Sequence, residues 1–174
     1  MNENTSKSAI ILLGHGSRVP EAGKHMEQVA IGLRTKYEHD LVEICYMSRL
    51  GPHFPDALKK CVALGATDVL VIPYFLHEGL HMKLDIPEMM QDEADKYPDV
   101  KLVLGRHLGF DDSLVDLVEK RIGESRSIPD IRETILPPKD KYPVPPGQCV
   151  FVPMPPEQAD KFIPAEADHL HQKI

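Results

Sequence analysis

Short apolar runs and amphipathic stretches alternate along roughly the first 125 residues of this 174-residue chain. The apolar runs predict four buried strands, at 8–13, 41–47, 68–74 and 101–104. Apolar residues at helical spacing predict four helices, at 20–37, 55–64, 86–97 and 111–122. Four strand–helix units in series are typical of an α/β domain, so we expect a parallel sheet with helices on both faces.

The third predicted helix has a distinct start signal. Asp85 is predicted to be its N-cap residue, with Pro87 near the first turn and Glu88 at the capping-box spacing. The segment 75–85, between the third strand and this helix, is predicted to be a loop.

The composition changes after about Ser125. Residues 126–174 hold 10 of the 16 prolines and one of the 11 glycines, and each proline removes a backbone donor and fixes φ. We therefore predict one domain over 1–125 and a proline-rich C-terminal extension over 126–174. The extension either wraps the domain or a partner subunit, or is disordered, and 149–152 (CVFV) suggests one short strand.

The bulk composition argues against several classes of protein. A formal net charge of −7 argues against nucleic-acid binding, which requires a basic surface. The chain has neither a secretory signal pattern nor an apolar run of 18 residues, so we expect a cytoplasmic protein that does not enter a membrane. Cys45, Cys61 and Cys149 form no CxxC, which argues against a zinc ribbon, an iron–sulfur cluster or a disulfide framework.

The first candidate site is residues 14–18 (GHGSR), after the first predicted strand. Ligands bind beyond the carboxyl ends of strands in such sheets. The two glycines allow a sharp turn and a close approach of the backbone to a ligand. The turn leads towards a helix whose free N–H groups would hold anionic oxygens, with Arg18 adding charge. The alternative is an ordinary strand-to-helix turn in which His15 only caps the loop and has no role in ligand binding.

The second candidate site is residues 75–87 (FLHEGLHMKLDIP), after the third strand. Residues 77–81 match the letters HExxH, which binds zinc in metalloproteases from one continuous helix. We discount that function because the stretch follows a strand directly, contains Gly79 and precedes a new helix start. If the stretch is a loop, the alternative to a functional role is that His77 and His81 are only exposed to solvent.

The two stretches are more informative together. The first and third strands of such a sheet are often adjacent, so His15 and His81 are expected to converge. Two neutral imidazoles prefer a late divalent metal to Mg²⁺ or Ca²⁺, and two ligands alone suit a metal in transit. The remaining histidines are expected to be ordinary: His25, His39, His53, His107, His169 and His171.

Three segments in order, LLGHGSR, CYMSRLGPHFPDAL and VIPYFLHEGLHMKLDIP, resemble the small class II chelatases over roughly residues 8–122. These are the CbiX-type sirohydrochlorin cobaltochelatases and their iron- and nickel-inserting relatives. The resemblance implies a chelatase-like α/β fold and insertion of Co²⁺, or of Ni²⁺ or Fe²⁺, into sirohydrochlorin or a similar tetrapyrrole, as in cobalamin or sirohaem biosynthesis. It also implies a homodimer and no tightly bound cofactor, the divalent metal being a substrate.

The resemblance also assigns roles to residues of this chain. The two motif histidines of the family match His15 and His81, which are expected to be catalytic and to bind the metal, with His77 as a possible third ligand. The residues expected to bind the substrate are Ser17, Arg18, Ser48, Arg49, Leu76, His77, Glu78, Gly79, Leu80 and His81. Many relatives have a glutamate at the position of Ser48.

Metal insertion requires a base for two pyrrole protons and groups that hold the metal. We expect His15 to be the better proton acceptor. A nitrogen that binds the metal cannot accept a proton, so the roles of base and metal ligand must alternate, or be shared with His77, Glu78 or water. The principal alternative is a non-catalytic tetrapyrrole or metal carrier, which Ser48 favours. A phosphoryl-transfer enzyme is disfavoured because Gly14, not arginine, precedes His15, and a purely structural module is the last alternative.

Overall fold

The computed structural model describes residues 6–48 and 51–138. Its centre is a four-stranded parallel sheet in the order β2–β1–β3–β4. The strands are β1 (Ser8–Gly14), β2 (Val42–Tyr46), β3 (Asp68–Pro73) and β4 (Lys101–Leu104). The two central strands are almost wholly apolar, as expected for strands that are covered on both faces.

Each strand is followed by a helix along the chain. The helices are α1 (Lys24–Lys36), α2 (Phe54–Ala63), α3 (Ile86–Ala94) and α4 (Asp112–Ser125). Three short helical turns accompany them, at Pro20–Gly23, His81–Asp85 and Ile131–Glu133. All eight predicted strands and helices are present, and the predicted α/β class with a parallel sheet is confirmed.

Alternate residues of β1 face two separate hydrophobic cores, because successive side chains of a strand point to opposite faces. Ile11 and Leu13 are fully buried in the larger core, with Phe54 and Leu58 of α2 and Ile86 of α3. The other face of β1 presents Leu12, which packs in a smaller core with Met26 and Ala30 of α1. Helices therefore cover both faces of the sheet, as predicted.

Two predictions about helix starts are wrong. The first predicted helix begins with the 3₁₀ turn Pro20–Gly23, and α1 starts only at Lys24. Asp85 is not an N-cap residue, because its backbone is helical and its side chain caps no N–H group. The chain is already helical from Leu80, through a π-helical turn over His81–Asp85. The predicted loop over 75–85 is thus correct only for its first five residues.

The last helix, α4, packs least against the rest of the fold. None of its residues is buried, and four of its apolar side chains are more than 40% exposed: Val115, Leu117, Val118 and Ile122. No helix among the described residues is both long enough and apolar enough to cross a bilayer. Residues 139–174, with the strand suggested at 149–152, lie outside the described residues, and the domain boundary at 125 stays a prediction.

Candidate functional site

The sheet order brings the two predicted motifs together. Strands β1 and β3 are paired in register up to Leu13 and Pro73, and the N–H of Tyr74 donates to the carbonyl of Leu13 over 2.7 Å. The loops that follow the two strands therefore leave the sheet side by side. As a result, the ring centroids of His15 and His81 lie 5.4 Å apart, with a 43° angle between the ring planes.

This separation suits two imidazoles that share one metal ion. With metal–nitrogen bonds of about 2.1 Å and a tetrahedral angle, the centroids of two ligating imidazoles lie about 5 Å apart. His15 is exposed, and half of the His81 side chain is exposed. Among the residues that the structure describes, no cluster of three or more His, Cys, Asp or Glu could hold a metal. The described geometry therefore offers two protein ligands and does not bring His77 in as a third.

The turn that carries His15 depends on Gly16. This glycine has φ +97°, and a Cβ atom there would lie 2.0 Å from the carbonyl oxygen of Ser48. Both features require glycine, because L-residues rarely adopt this φ and the backbone approach leaves no room for a side chain. The sequence motif GHGSR is thus explained by local geometry as well as by chemistry.

Ser48 anchors the same turn from the end of β2. Its N–H and its hydroxyl both donate to the carbonyl of His15, over 3.2 and 3.1 Å. One residue earlier, the N–H of Met47 donates to the carbonyl of Gly14 over 2.9 Å. Ser48 therefore holds the backbone of His15 in this chain.

Phe75 lies within the second candidate stretch, but the sequence pattern assigns it no role. Its ring meets the ring of His15 edge to face, with centroids 6.4 Å apart and an interplanar angle of 82°. Its carbonyl accepts a hydrogen bond from the N–H of Gly109, in the loop between β4 and α4, over 3.3 Å. An aromatic residue directly after a buried strand was the available signal, but its partner was not visible in the sequence.

His81 lies in the π-helical turn, four residues before Asp85. Its Nδ1 is hydrogen-bonded to a carboxylate oxygen of Asp85. The helical path begins just before it, where the N–H groups of Met82 and Lys83 donate to the carbonyl of Gly79. His77 precedes this path, so the letters HExxH do not lie on one helix and the metalloprotease alternative loses its basis. The four-residue spacing of His81 and Asp85 is a sequence signal for a side-chain pair. The sequence pattern around Asp85 instead predicts an N-cap residue.

The other predicted substrate-binding residues surround this pair with mixed roles. The hydroxyl of Ser17 accepts from the N–H of Val19 over 3.0 Å and so helps to form the turn. A further six predicted residues are exposed after β1 and β3: Arg18, Leu76, His77, Glu78, Gly79 and Leu80. Arg49 lies outside the described residues. The helix start expected after GHGSR is the short 3₁₀ turn, so it supplies no α-helical N-terminus beside His15.

A cleft of about 280 Å³ lies beside the His15 turn. Its lining includes His15, His25, Tyr46 and Tyr74, but not His81. Burial, and to a smaller extent Glu27, raise the pKa of the Tyr46 phenol, which therefore stays a neutral donor at physiological pH. The imidazoles of His15 and His81 are thus exposed, while the His15 side of the site has a small recess with a mixed polar and apolar lining.

Residues 9–125 match the CbiX protein family. A sirohydrochlorin cobaltochelatase of Priestia megaterium is 35% identical over 120 residues, covering 67% of this chain and 38% of that protein. A sirohydrochlorin cobaltochelatase of Methanopyrus kandleri is 29% identical over 137 residues, covering 67% of this chain and 96% of that protein.

Among solved structures, the fold resembles the sirohydrochlorin chelatase SirB of Bacillus subtilis subspecies spizizenii in complex with cobalt. The TM-score is 0.63 at 31% identity, covering 68% of this chain and 50% of that one. The chain therefore spans about half the length of the SirB chain and less than half of the Priestia protein. Because the family match extends over two thirds of its residues and the fold agrees, the chain belongs to the CbiX family.

Proposed function

We propose that this protein inserts a divalent metal ion, foremost Co²⁺, into sirohydrochlorin or a similar tetrapyrrole. The observation that carries the proposal is the pair of exposed imidazoles, His15 and His81, 5.4 Å apart at the carboxyl edge of the sheet. Imidazole favours Co²⁺, Ni²⁺ and Fe²⁺ over Mg²⁺ and Ca²⁺. The names of the two relatives and the cobalt in the SirB structure support cobalt and sirohydrochlorin as substrates.

The two histidines have different surroundings, which suggests a division of roles. His81 has one ring nitrogen bound to Asp85 and offers only its Nε2 as a metal ligand. His15 is fixed through its backbone by Ser48, while its exposed ring touches Phe75. A nitrogen that binds the metal cannot accept a proton, so His15 is free to accept a pyrrole proton once the metal has moved to the macrocycle. The second pyrrole proton goes to water or to Glu78.

Positive side chains near this edge fit an anionic substrate. Sirohydrochlorin carries many carboxylates, and the chain as a whole is acidic, with a net charge of −7. Arg18 follows β1, Lys83 lies in the π-helical turn, and Arg106 follows β4, all with exposed side chains. Charge-assisted hydrogen bonds from these groups would hold the carboxylates of the macrocycle. We propose that they orient the tetrapyrrole over the histidine pair.

Turnover is the direct test of the proposed function. Purified protein is mixed anaerobically with excess sirohydrochlorin and Co²⁺, Ni²⁺ or Fe²⁺, and insertion is followed by absorbance. We expect multiple turnovers, and a loss of about 100-fold or more in His15→Ala and His81→Ala, the usual scale for removing a general base. His39→Ala is the matched control, because His39 is exposed and precedes β2 at the opposite edge of the sheet.

The outcome of this assay separates the alternatives. Wild-type rates in both His15→Ala and His81→Ala would contradict the assignment of the site. A spectral change that saturates at one equivalent of substrate would indicate a carrier instead of an enzyme. That alternative was suggested by Ser48, whose observed bonds to the His15 carbonyl now give it a structural role.

We further propose that the protein is a homodimer. Three exposed apolar side chains of α4, Val115, Val118 and Ile122, lie at helical spacing on one face that is not buried within the described residues. The matched segment covers half of the SirB chain, so two copies of this segment would equal the SirB chain in length.

A further inference from the structure

Asp85 directs its carboxylate at His81 instead of at the helix backbone. Its oxygen accepts a hydrogen bond from Nδ1 of His81, and its side chain satisfies no N–H group of α3. Both side chains are half exposed, so burial does not force them together. The contact therefore results from where the backbone places the two residues.

The π-helical turn provides this placement. It runs over His81–Asp85 and is closed by a hydrogen bond from the N–H of Ile86 to the carbonyl of His81. Side chains four residues apart lie on the same side of such a turn, and single π-helical turns within helices are frequent at functional sites. Ile86 is fully buried in the main core, so the residue next to Asp85 is firmly fixed.

A carboxylate at Nδ1 determines what the other nitrogen of an imidazole can do. It holds the proton on Nδ1 and leaves the lone pair on Nε2, and it also fixes the rotation of the ring. We propose that Asp85 is a positioning residue that holds His81 in the Nδ1–H tautomer, with Nε2 available to the incoming metal ion. The inference rests on the proposed function in taking a divalent metal as the ligand of His81.

The tautomer of His81 can be measured without any metal. Long-range ¹H–¹⁵N NMR correlations of the full-length protein at pH about 8 distinguish protonated Nδ1 from protonated Nε2. We expect His81 to carry its proton on Nδ1 in the wild type and in Asp85→Glu, and to shift towards the Nε2–H form in Asp85→Ala. Asp92→Ala is the matched control, because it removes an exposed carboxylate from α3 without touching His81.

Metal affinity is the second measurement, by titration of the same proteins with Co²⁺ alone. Loss of an outer-shell partner of a ligand weakens metal binding by about 10–100-fold, and we expect this for Asp85→Ala but not for Asp92→Ala. Asp85→Glu should recover most of the affinity. A carboxylate that merely stabilised the helix would lower the melting temperature of the variant without changing the tautomer of His81.

The failure of this inference and that of the proposed function have different signatures. If His15→Ala and His81→Ala bind Co²⁺ as tightly as the wild type, the metal site itself is wrong. If those two variants lose Co²⁺ while Asp85→Ala matches Asp92→Ala in affinity and tautomer, only the role of Asp85 is overturned.

Discussion

At the scale of single residues, the site depends on backbone positions as much as on its histidines. Gly16 allows the chain to turn immediately after His15, and Ser48 holds the carbonyl of His15 from the neighbouring strand. The imidazole of His15 is consequently positioned by groups that take no part in the chemistry. Changes to these groups should affect activity without removing any reactive atom.

Gly16→Ala tests this dependence. The new Cβ would meet the carbonyl oxygen of Ser48 at 2.0 Å, and the residue would have to keep a φ of +97°. We expect a loss of about 1–3 kcal/mol in the free energy of unfolding, together with a strong loss of metal insertion. Gly32→Ala is the control, since no atom lies within 4 Å of its Cβ position and alanine favours a helix. Denaturant unfolding of both variants makes the comparison, and equal stability would contradict the steric argument.

The sequence was sufficient to predict that His15 and His81 lie close together, but not which residues contact them. The two histidines follow the ends of predicted strands, where a parallel sheet collects its ligand-binding groups. Asp85 was assigned to capping because an aspartate before Ile-Pro-Glu is also a typical helix start. Whether Asp85 caps the helix or contacts His81 depends on the π-helical turn. Such a turn contains one residue more than an α-helical turn, and no local sequence pattern predicts it. Phe75 was missed because its partner is 60 positions away in the chain.

At the scale of elements, the contact between β2 and α2 buries two free thiols. Cys45 of β2 and Cys61 of α2 are fully buried in the main core. Burial, with a smaller contribution from Cys61, raises the pKa of Cys45 from 9.0 to about 12. Burial also raises the pKa of Cys61, to about 11. Both residues are therefore inert packing groups in the folded protein.

These thiols should make the protein less stable at alkaline pH. Above pH 9 the unfolded chain releases thiol protons that the folded protein retains until pH about 11 to 12, so the free energy of unfolding falls as the pH rises. Between pH 8 and pH 10, each thiol should lower the free energy of unfolding by about 1.4 kcal/mol. Denaturant unfolding at the two pH values should show a smaller decrease for Cys45→Ala than for the wild type. An identical decrease would mean that the thiol of Cys45 ionises freely in the folded state.

The strands and helices were predictable because their apolar periodicity matches their burial. The larger errors lie around the π-helical turn and at the start of α1, where hydrogen-bond geometry, not hydrophobic pattern, decides the backbone. The apolar spacing of α4 correctly predicted a helix but suggested a buried face, which the described residues do not provide. Periodicity shows which face of a helix is apolar, but it does not show what covers that face.

At the scale of the whole molecule, the histidines are unevenly distributed. Of the seven histidines within the described residues, only His39 lies at the amino edge of the sheet. The other six follow strand ends or begin helices at the carboxyl edge: His15, His25, His53, His77, His81 and His107. Groups that attract late divalent metals are therefore concentrated on one side of an otherwise acidic protein.

The proposed homodimer is testable through α4. We expect sedimentation velocity to show a dimer for the wild type, and Val118→Glu to shift it towards monomer because a charge would enter an apolar contact. Lys120→Glu is the control, since it places the same side chain on the polar face of the same helix. A wild-type monomer at micromolar concentration, or equal effects of the two substitutions, would contradict a dimer through this face.

The pairing of β1 with β3 has a consequence for how the metal is handled. The two histidines lie in the segments that follow these adjacent strands, and their ring centroids are 5.4 Å apart. The sheet fixes where both segments start, and the π-helical turn then places His81. Zinc fingers, by contrast, need their ion in order to fold. For the proposed metal insertion, a site held by the backbone in this way would fill and empty without any refolding of the protein.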